Sequence, residues 1–191
     1  KNGEGVTQDY EESARWYLLA GDQGDVGAQF SLAQMYESGE GVIQDNKKSA
    51  KWYHLAADQG HARAQYKLGM IYDEGIGVTQ DFEESAKWYR KAGDQGDSSS
   101  QYLLGAKYDE GIGVLQDHKE SAKWYQMAGD QGNARAQYNL GLMYKNNKGV
   151  SQDLEESVKW FRLAAEQGDA DSQFNLGLLY DNGQGVVQDN K

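Results

Sequence analysis

Hydrophobic and polar positions repeat along this chain at a fixed spacing of 36 residues. Tryptophan marks the period and recurs at 16, 52, 88, 124 and 160. A Leu, a Tyr and the dipeptides Gly-Val, Gln-Asp and Gln-Gly recur at the same interval. We term each set of equivalent positions a column and name it after its first complete copy. A period between 20 and 50 residues is typical of solenoids and other repeat arrays, so the periodicity decides the fold class.

The first segment of each period predicts an amphipathic helix, over Asp9–Gln23 and its copies. Asp at the first position is a good N-cap, and a Glu three residues later is typical of a capping box. Ala14 and Tyr17 begin an apolar stripe at helical spacing. The opposite face is charged and predicts ion pairs four residues apart, such as Glu83 with Lys87.

The second segment predicts a helix from about Asp25 to Ser38 and in its copies. Its N-cap column holds Asp or Asn in four copies, which are good caps, and His61 in the remaining one. Leu32 lies on one apolar face, and Phe30 and Ala33 lie on another. A helix that is apolar on two faces is packed between neighbours. The sequence therefore predicts an all-α solenoid of antiparallel helix pairs.

The repeated residues form a specific motif. In the second copy the motif consists of Ala64, Tyr66, Leu68, Gly69, Tyr72, Gly75, Gly77, Val78, Asp81, Ala86, Trp88, Tyr89, Ala92, Gln95 and Gly96. This pattern resembles the Sel-one-like repeat (SLR) family, a relative of the tetratricopeptide repeat, and it covers the whole chain. The resemblance implies a right-handed α/α superhelix in which helix A, carrying Leu-Gly-x-x-Tyr, precedes helix B. The absence of Pro and the period of 36 argue against ordinary tetratricopeptide repeats.

Family phasing predicts one repeat array over 1–191. Its complete repeats are expected at 25–60, 61–96, 97–132 and 133–168. An unpaired helix B at 9–24 begins the chain, and an unpaired helix A at 169–183 ends it. Neither end resembles the polar capping repeat that solenoids need for solubility. We therefore expect either a piece of a longer array or end-to-end self-association with other copies.

Glycine is abundant, with 24 residues, although the chain contains no Pro. Sixteen of the glycines fall in turn columns, where a positive φ is needed. Seven fall inside predicted helices, where each costs up to ~1 kcal/mol against Ala. Their regular placement predicts close approach of neighbouring helices, so that Gly69→Leu is expected to disrupt the stack.

Charge and composition exclude several function classes. The net charge of -11 repels phosphate backbones, so no nucleic-acid partner is expected. No apolar run reaches ~18 residues, so no membrane insertion is expected. We find no signal-peptide pattern at the start, and the sequence leaves the cellular compartment open. The chain has no Cys, and its three His lie in different columns, so neither a metal site nor a cofactor is predicted.

The SLR resemblance implies a scaffold for protein complexes. By analogy with tetratricopeptide repeats, helix A lines the concave face and offers columns 27, 30, 34, 37 and 38 to a peptide or partner protein. The partner-binding residues predicted there are Phe30, Gln34, Arg63, Tyr66, Met70, Asp73, Tyr102, Asp109, Arg135, Tyr138, Leu142, Phe174 and Leu178. Packing between repeats explains the invariant aromatic character of column 30 equally well.

A second surface, the outer side of helix B, places a basic residue beside each Trp. Cation–π contact and a solvated, salt-bridged face both explain this pattern.

The alternative to a scaffold is an enzyme. Cysteine-rich relatives suggest a hydrolase of the β-lactam class, whose chemistry needs Ser-x-x-Lys with a second motif such as Lys-Thr-Gly. The nearest pattern here is Ser49-Ala-Lys51, whose copies recur in every period, with Arg in place of Lys in the first, and therefore indicate architecture. The acidic pairs that end helix A, such as Asp73-Glu74, belong to a solvated surface. We therefore predict a non-catalytic adaptor.

Overall fold

The computed structural model describes residues 8–185, and that range contains ten α-helices. They are α1 (Tyr10–Asp22), α2 (Val26–Ser38), α3 (Asn46–Asp58), α4 (Ala62–Glu74), α5 (Phe82–Asp94), α6 (Ser98–Glu110), α7 (His118–Asp130), α8 (Ala134–Asn146), α9 (Leu154–Glu166) and α10 (Ala170–Asp181). Odd-numbered helices are helix B and even-numbered helices are helix A. The predicted turn glycines at 3 and 5 and the Gln-Asp pair at 188 lie outside the described residues.

The chain forms two compact units, one up to Trp88 and one from Tyr89 onward. In the first unit α1 packs on α2, α2 on α3 and α3 on α4. In the second unit the same succession runs from α6 to α10. Within each unit these helices pack on their neighbours in the chain, which is the arrangement expected of stacked helix pairs.

The core of each unit combines large side chains of helix B with small residues of helix A. Tyr53 is fully buried in the first unit and Phe161 in the second. The interior glycines make room for these rings, because a Cβ added to Gly141 would lie 2.7 Å from a ring carbon of Phe161. Gly105 lies beneath Tyr125 in the same way. The predicted close helix approach is therefore present at these glycines.

Side-chain caps begin the helices as predicted. The Asp9 carboxylate accepts from the Glu12 amide at 3.0 Å. His61, the exception in its column, also acts as a cap, since its Nδ1 accepts from the Ala64 amide at 3.2 Å. Its ring stacks on Phe30 with a centroid separation of 4.5 Å. Burial, and secondarily the charge of Arg63, lowers the pKa of His61, which favours the neutral ring that can accept this bond.

The loop after each helix A is held by the Gln-Asp dipeptide. Gln80 donates its side-chain amide to the Asp73 carbonyl at 2.6 Å, at the end of α4. Asp81 accepts from the first backbone amides of α5. The dipeptide thus satisfies a free carbonyl of one helix and free amides of the next. Gly77 lies in the same loop with φ +73°, and a Cβ there would lie 2.3 Å from the Asn46 carbonyl oxygen.

Ion pairs on the outer side of helix B differ from the prediction in their spacing. Lys87 pairs with Glu84, three residues earlier, where four had been predicted. Lys123 and Glu120 follow the same spacing. Residues three and four positions earlier both lie one turn below the Lys, and in the structure the Glu three positions earlier makes the contact.

Glutamine side chains form a buried polar ladder. Gln101 donates to the Gly93 carbonyl at 2.9 Å and accepts from Gln131 at 2.7 Å. Gln137 repeats these bonds one copy later, with Gly129 and Gln167. Buried amides need such partners, so the ladder fixes the register between successive helix pairs.

Candidate interaction surface

The predicted partner-binding residues divide between the two units, and all of them are at least partly exposed. The first unit holds Phe30, Gln34, Arg63, Tyr66, Met70 and Asp73. The second unit holds Tyr102, Asp109, Arg135, Tyr138, Leu142, Phe174 and Leu178. We term columns 27, 30, 34 and 37 of the even-numbered helices the helix-A surface.

The aromatic residues of column 30 pack on the following helix B while keeping part of their surface exposed. Phe30 makes an edge contact with Tyr53 at a centroid distance of 5.6 Å. In the second unit Tyr138 lies 5.9 Å from Phe161. Phe174 differs from the others, because it is 67 % exposed. The two interpretations of this column are therefore compatible: one ring edge contributes to the core, and the rest is available.

Arginine lies beside these aromatic residues in each unit. The segment Ala-Arg-Ala-Gln-Tyr occurs both at 62–66 on α4 and at 134–138 on α8. Arg63 and Arg135 are exposed, and neither forms an ion pair within the described range 8–185. Residues three and seven positions apart share a helix face, so Arg135, Tyr138 and Leu142 form one patch. The corresponding patch on α4 ends in Met70.

In the first unit, an acidic residue at the edge of the surface is engaged internally. The Glu37 carboxylate accepts from Lys67 at 2.8 Å and from the Tyr53 hydroxyl. Burial, assisted by this carboxylate, raises the pKa of Tyr53 far above its usual range. Glu37 and Lys67 also border a small cavity of about 60 Å³ with Met70 and Ile76 on its apolar side.

In the second unit, Asp109 holds two basic groups that the sequence did not associate with it. His118 Nδ1 lies 3.0 Å and Lys148 Nζ 2.9 Å from its carboxylate. Asp109 is thus a structural ion-pair acceptor as well as a predicted partner contact. Lys148 is the sole basic residue in its column, where its equivalents in the described chain are Glu40, Ile76, Ile112 and Gln184. This difference between Lys148 and the other residues of its column is the signal from which its ion pair with Asp109 could have been predicted.

The outer side of helix B is a solvated, salt-bridged face. Lys123 pairs with Glu120, and Lys159 pairs with Glu156 at 3.1 Å. Lys159 Nζ also lies 5.5 Å from the centroid of the Trp160 ring. Cation–π contact and ion pairing therefore coexist there, and exposure makes each of them weak.

Tandem helix pairs that pack only on their sequence neighbours define an α-solenoid of the tetratricopeptide class. Six consecutive segments match the Sel1 repeat: 1–25, 26–61, 62–97, 98–133, 134–169 and 170–191. The chain belongs to the Sel1 repeat family, and the expected family and all-α SLR solenoid are confirmed. The finer division, a single array with unpaired end helices, stays a prediction.

Two solved structures are similar over nearly the whole chain. The first is c5321, a protective antigen present in uropathogenic Escherichia coli strains that displays an SLR fold, with 41% identity and a TM-score of 0.89. The match covers 95% of this chain and 39% of that protein, so the chain spans about two fifths of its length. The second is a Sel1 repeat protein from Oxalobacter formigenes, with 33% identity, a TM-score of 0.87, and coverage of 94% and 74% respectively.

A more distant structure is cysteine rich protein B of Helicobacter pylori, with 25% identity and a TM-score of 0.52. That match covers 71% of this chain and 97% of the other. No curated protein matches the chain closely enough to count as a relative. Within residues 8–185, no helix is long and apolar enough to cross a membrane. No group of three or more His, Asp or Glu in that range is placed to hold a metal ion.

Proposed function

We propose that this chain is a non-catalytic interaction scaffold that binds a peptide or partner protein on its helix-A surface. One observation carries the proposal: an exposed, unpaired Arg recurs beside a half-buried Tyr and an apolar side chain in each unit. Arg and Tyr are among the residue types that dominate binding energy at protein interfaces. An Arg without an ion pair can engage a partner without first breaking an internal bond.

The roles of the candidate catalytic groups support binding over hydrolysis. Ser49 donates its hydroxyl to the Ala33 carbonyl at 2.9 Å. Ser157, its equivalent in the second unit, does the same to Gly141 at 2.8 Å. These two serines join helix B to the preceding helix A. Their equivalents Ser85 and Ser121 are also buried but form no such bond, so what the internal copies share is a buried packing position. The Asp109 carboxylate is likewise occupied by two basic partners.

The proposal is tested with peptides selected from a random display library against the intact chain. A double change, Arg63→Ala with Arg135→Ala, removes the unpaired guanidinium groups of both units. We expect selected peptides to bind this variant at least about tenfold more weakly, the effect of losing one hot-spot residue.

The matched control changes two basic residues of the outer helix-B side, Lys123→Ala with Lys159→Ala. Both double variants remove two exposed positive charges, so general electrostatic attraction to the peptide falls equally. We expect the control to retain binding. Selected peptides that depend on Lys123 and Lys159 but not on Arg63 and Arg135 would contradict the proposed surface.

A further inference from the structure

The small cavity of the first unit combines an apolar wall with acidic groups. Its volume is about 60 Å³, and residues of α2, α3, α4 and the loop after α4 line it. Met70, Ile71 and Ile76 form the apolar wall, and Glu37 and Glu74 contribute carboxylates. An apolar wall with a few polar groups is the usual composition of a binding pocket.

The charges around this cavity leave one carboxylate unbalanced. Glu37 accepts from Lys67 at 2.8 Å, so these two charges compensate each other. Glu74 forms no ion pair with any residue in the described part of the chain, 8–185. In the second unit, two periods later, the neutral Asn146 takes the place of Glu74. The cavity of the first unit therefore has an excess negative charge, which favours a cationic occupant.

The equivalent residues of the second unit show which cation fits. Two periods later, Asp109 takes the place of Glu37, and Lys148 takes the place of Ile76. The Lys148 ammonium lies 2.9 Å from the Asp109 carboxylate. In the first unit, Glu37 and Ile76 both border the cavity. The Lys148 side chain therefore connects two positions whose equivalents in the first unit have a cavity between them.

A second basic side chain approaches the same carboxylate in the second unit. His118 Nδ1 lies 3.0 Å from Asp109. Its equivalent in the first unit is Asn46, which has a shorter side chain and also lines the cavity. The first unit thus keeps the carboxylate but has no basic residue at the positions of His118 and Lys148. A basic side chain from a partner can take their place.

The cavity continues the helix-A surface along α4. Arg63, Lys67, Met70 and Glu74 follow one another at intervals of four, three and four residues. Residues at these intervals share one helix face. A partner that contacts Arg63 and follows α4 towards its C-terminus therefore passes the cavity.

We propose that this cavity binds a lysine side chain of the partner, with the alkyl stem on Met70 and Ile76 and the ammonium group at Glu74 and Glu37. The inference rests on the proposed scaffold function, because it specifies one residue of the bound peptide or protein. Lysine suits the site because its stem packs on apolar surface while its ammonium stays at the polar edge. An ammonium taken out of water needs a charged partner, and Glu74 supplies one.

The test uses a capped lysine, Nα-acetyl-lysine methylamide, as the probe and the corresponding norleucine compound as its control. Norleucine keeps the alkyl stem and lacks the ammonium. In the intact chain with isotope-labelled methionine methyl groups, the NMR signal of Met70 reports on the cavity and that of Met127 on the outer side of helix B. We expect the lysine probe to shift the Met70 signal alone. The norleucine probe should bind about tenfold more weakly, the effect of losing one charge-assisted hydrogen bond.

Two variants test the residues that line the cavity. Glu74→Gln removes the unbalanced carboxylate at almost unchanged size, and it should weaken binding of the lysine probe about tenfold. Ile76→Lys gives the first unit the residue that the second unit has at 148. Its own ammonium should then occupy the cavity and abolish the shift of Met70. Both residues are exposed, so both variants should fold, and circular dichroism checks this.

The matched control is Ile112→Lys, the same change at the position one period after Ile76. The two isoleucines are 38 % and 41 % exposed, so both variants add one positive charge in a similar environment. Ile112 lies in the second unit and does not line this cavity. We therefore expect Ile112→Lys to bind the lysine probe as the wild-type chain does.

Three results would overturn the proposal. They are a Met70 signal that the lysine probe does not shift, equal shifts with the two probes, and a shift that persists in Ile76→Lys. None of these results depends on Arg63 or Arg135. Peptide binding that requires both arginines, without a response to the lysine probe, would remove the lysine site and leave the scaffold function standing. Lysine binding with peptides that ignore both arginines would do the reverse.

Discussion

Gly77 occupies the tightest backbone contact in its loop, and replacing it by Ala gives a quantitative test of the packing. Its φ of +73° is one that L-residues rarely adopt. A Cβ there would also lie 2.3 Å from the carbonyl oxygen and 2.4 Å from the carbonyl carbon of Asn46. That carbonyl belongs to the first turn of α3, so the obstacle is helix backbone and cannot rotate away.

The magnitude follows from comparison with Gly60, which has a φ of +89° and nothing within 4 Å of its Cβ position. An L-residue at positive φ costs about 1–2 kcal/mol, and this applies to both sites. Forcing an added group against fixed neighbours costs about 1–3 kcal/mol more, and this applies to Gly77 alone. We therefore expect Gly60→Ala to lower the free energy of unfolding by about 1–2 kcal/mol and Gly77→Ala by about 2–5 kcal/mol.

Urea denaturation followed by circular dichroism measures both variants against the wild-type chain. In thermal melts the difference corresponds to about 2–4 °C for each kcal/mol in a chain of this size. Equal losses for the two variants would refute the reasoning, because the backbone conformation alone would then account for the effect and the contact with Asn46 would count for nothing.

Two further predictions use matched pairs of positions. Gly141→Leu must displace the buried Phe161 ring and should lower the free energy of unfolding by about 1–3 kcal/mol. Gly177→Leu enters open space and should cost little. Denaturant titration measures both variants, and equal losses would contradict the claim that the Phe161 ring leaves no room for a side chain at position 141. His61 caps α4 through its neutral ring, and its pKa in the folded chain is lowered. Its contribution to the free energy of unfolding is therefore present above about pH 6.5, the ordinary pKa of His, and is lost as the pH falls through the lower pKa of the folded chain. His61→Asn, which places the capping residue of α8 at this site, should reduce the loss of unfolding free energy between pH 7.5 and pH 5 relative to wild type; an unchanged loss would contradict this role.

The sequence alone was sufficient for the helices because many columns agree on one period. The helix starts at Asp9 and Asp25 and their copies were predicted from N-cap chemistry, and the structure places the caps there. The glycine columns likewise predicted left-handed turns. In the fourth copy Asn147 takes the place of the Gly that ends helix A, and it has a φ of +58°. These features depend on residues close in the chain, which is why local rules suffice.

Other features depend on side chains that meet across helices, and local rules missed them. The ladder that joins Gln101 to Gln131 spans 30 residues. Lys148 reaches Asp109 across 39 residues. A search for shared columns also overlooks residues that occur in one copy only, such as His118, which contacts Asp109. In the candidate surface, the exposed Arg residues followed from the sequence, whereas the internal partners of Glu37 and Asp109 did not.

The most direct test of the scaffold proposal is oxidative footprinting of the chain with and without a selected peptide. Met70 on the helix-A surface and Met127 on the outer side of helix B are both accessible methionines. Their rates of oxidation can be compared within one sample, so neither protein concentration nor oxidant dose affects the comparison. The proposal predicts that bound peptide slows oxidation of Met70 and leaves Met127 unchanged. Protection of Met127 with none at Met70 would contradict it.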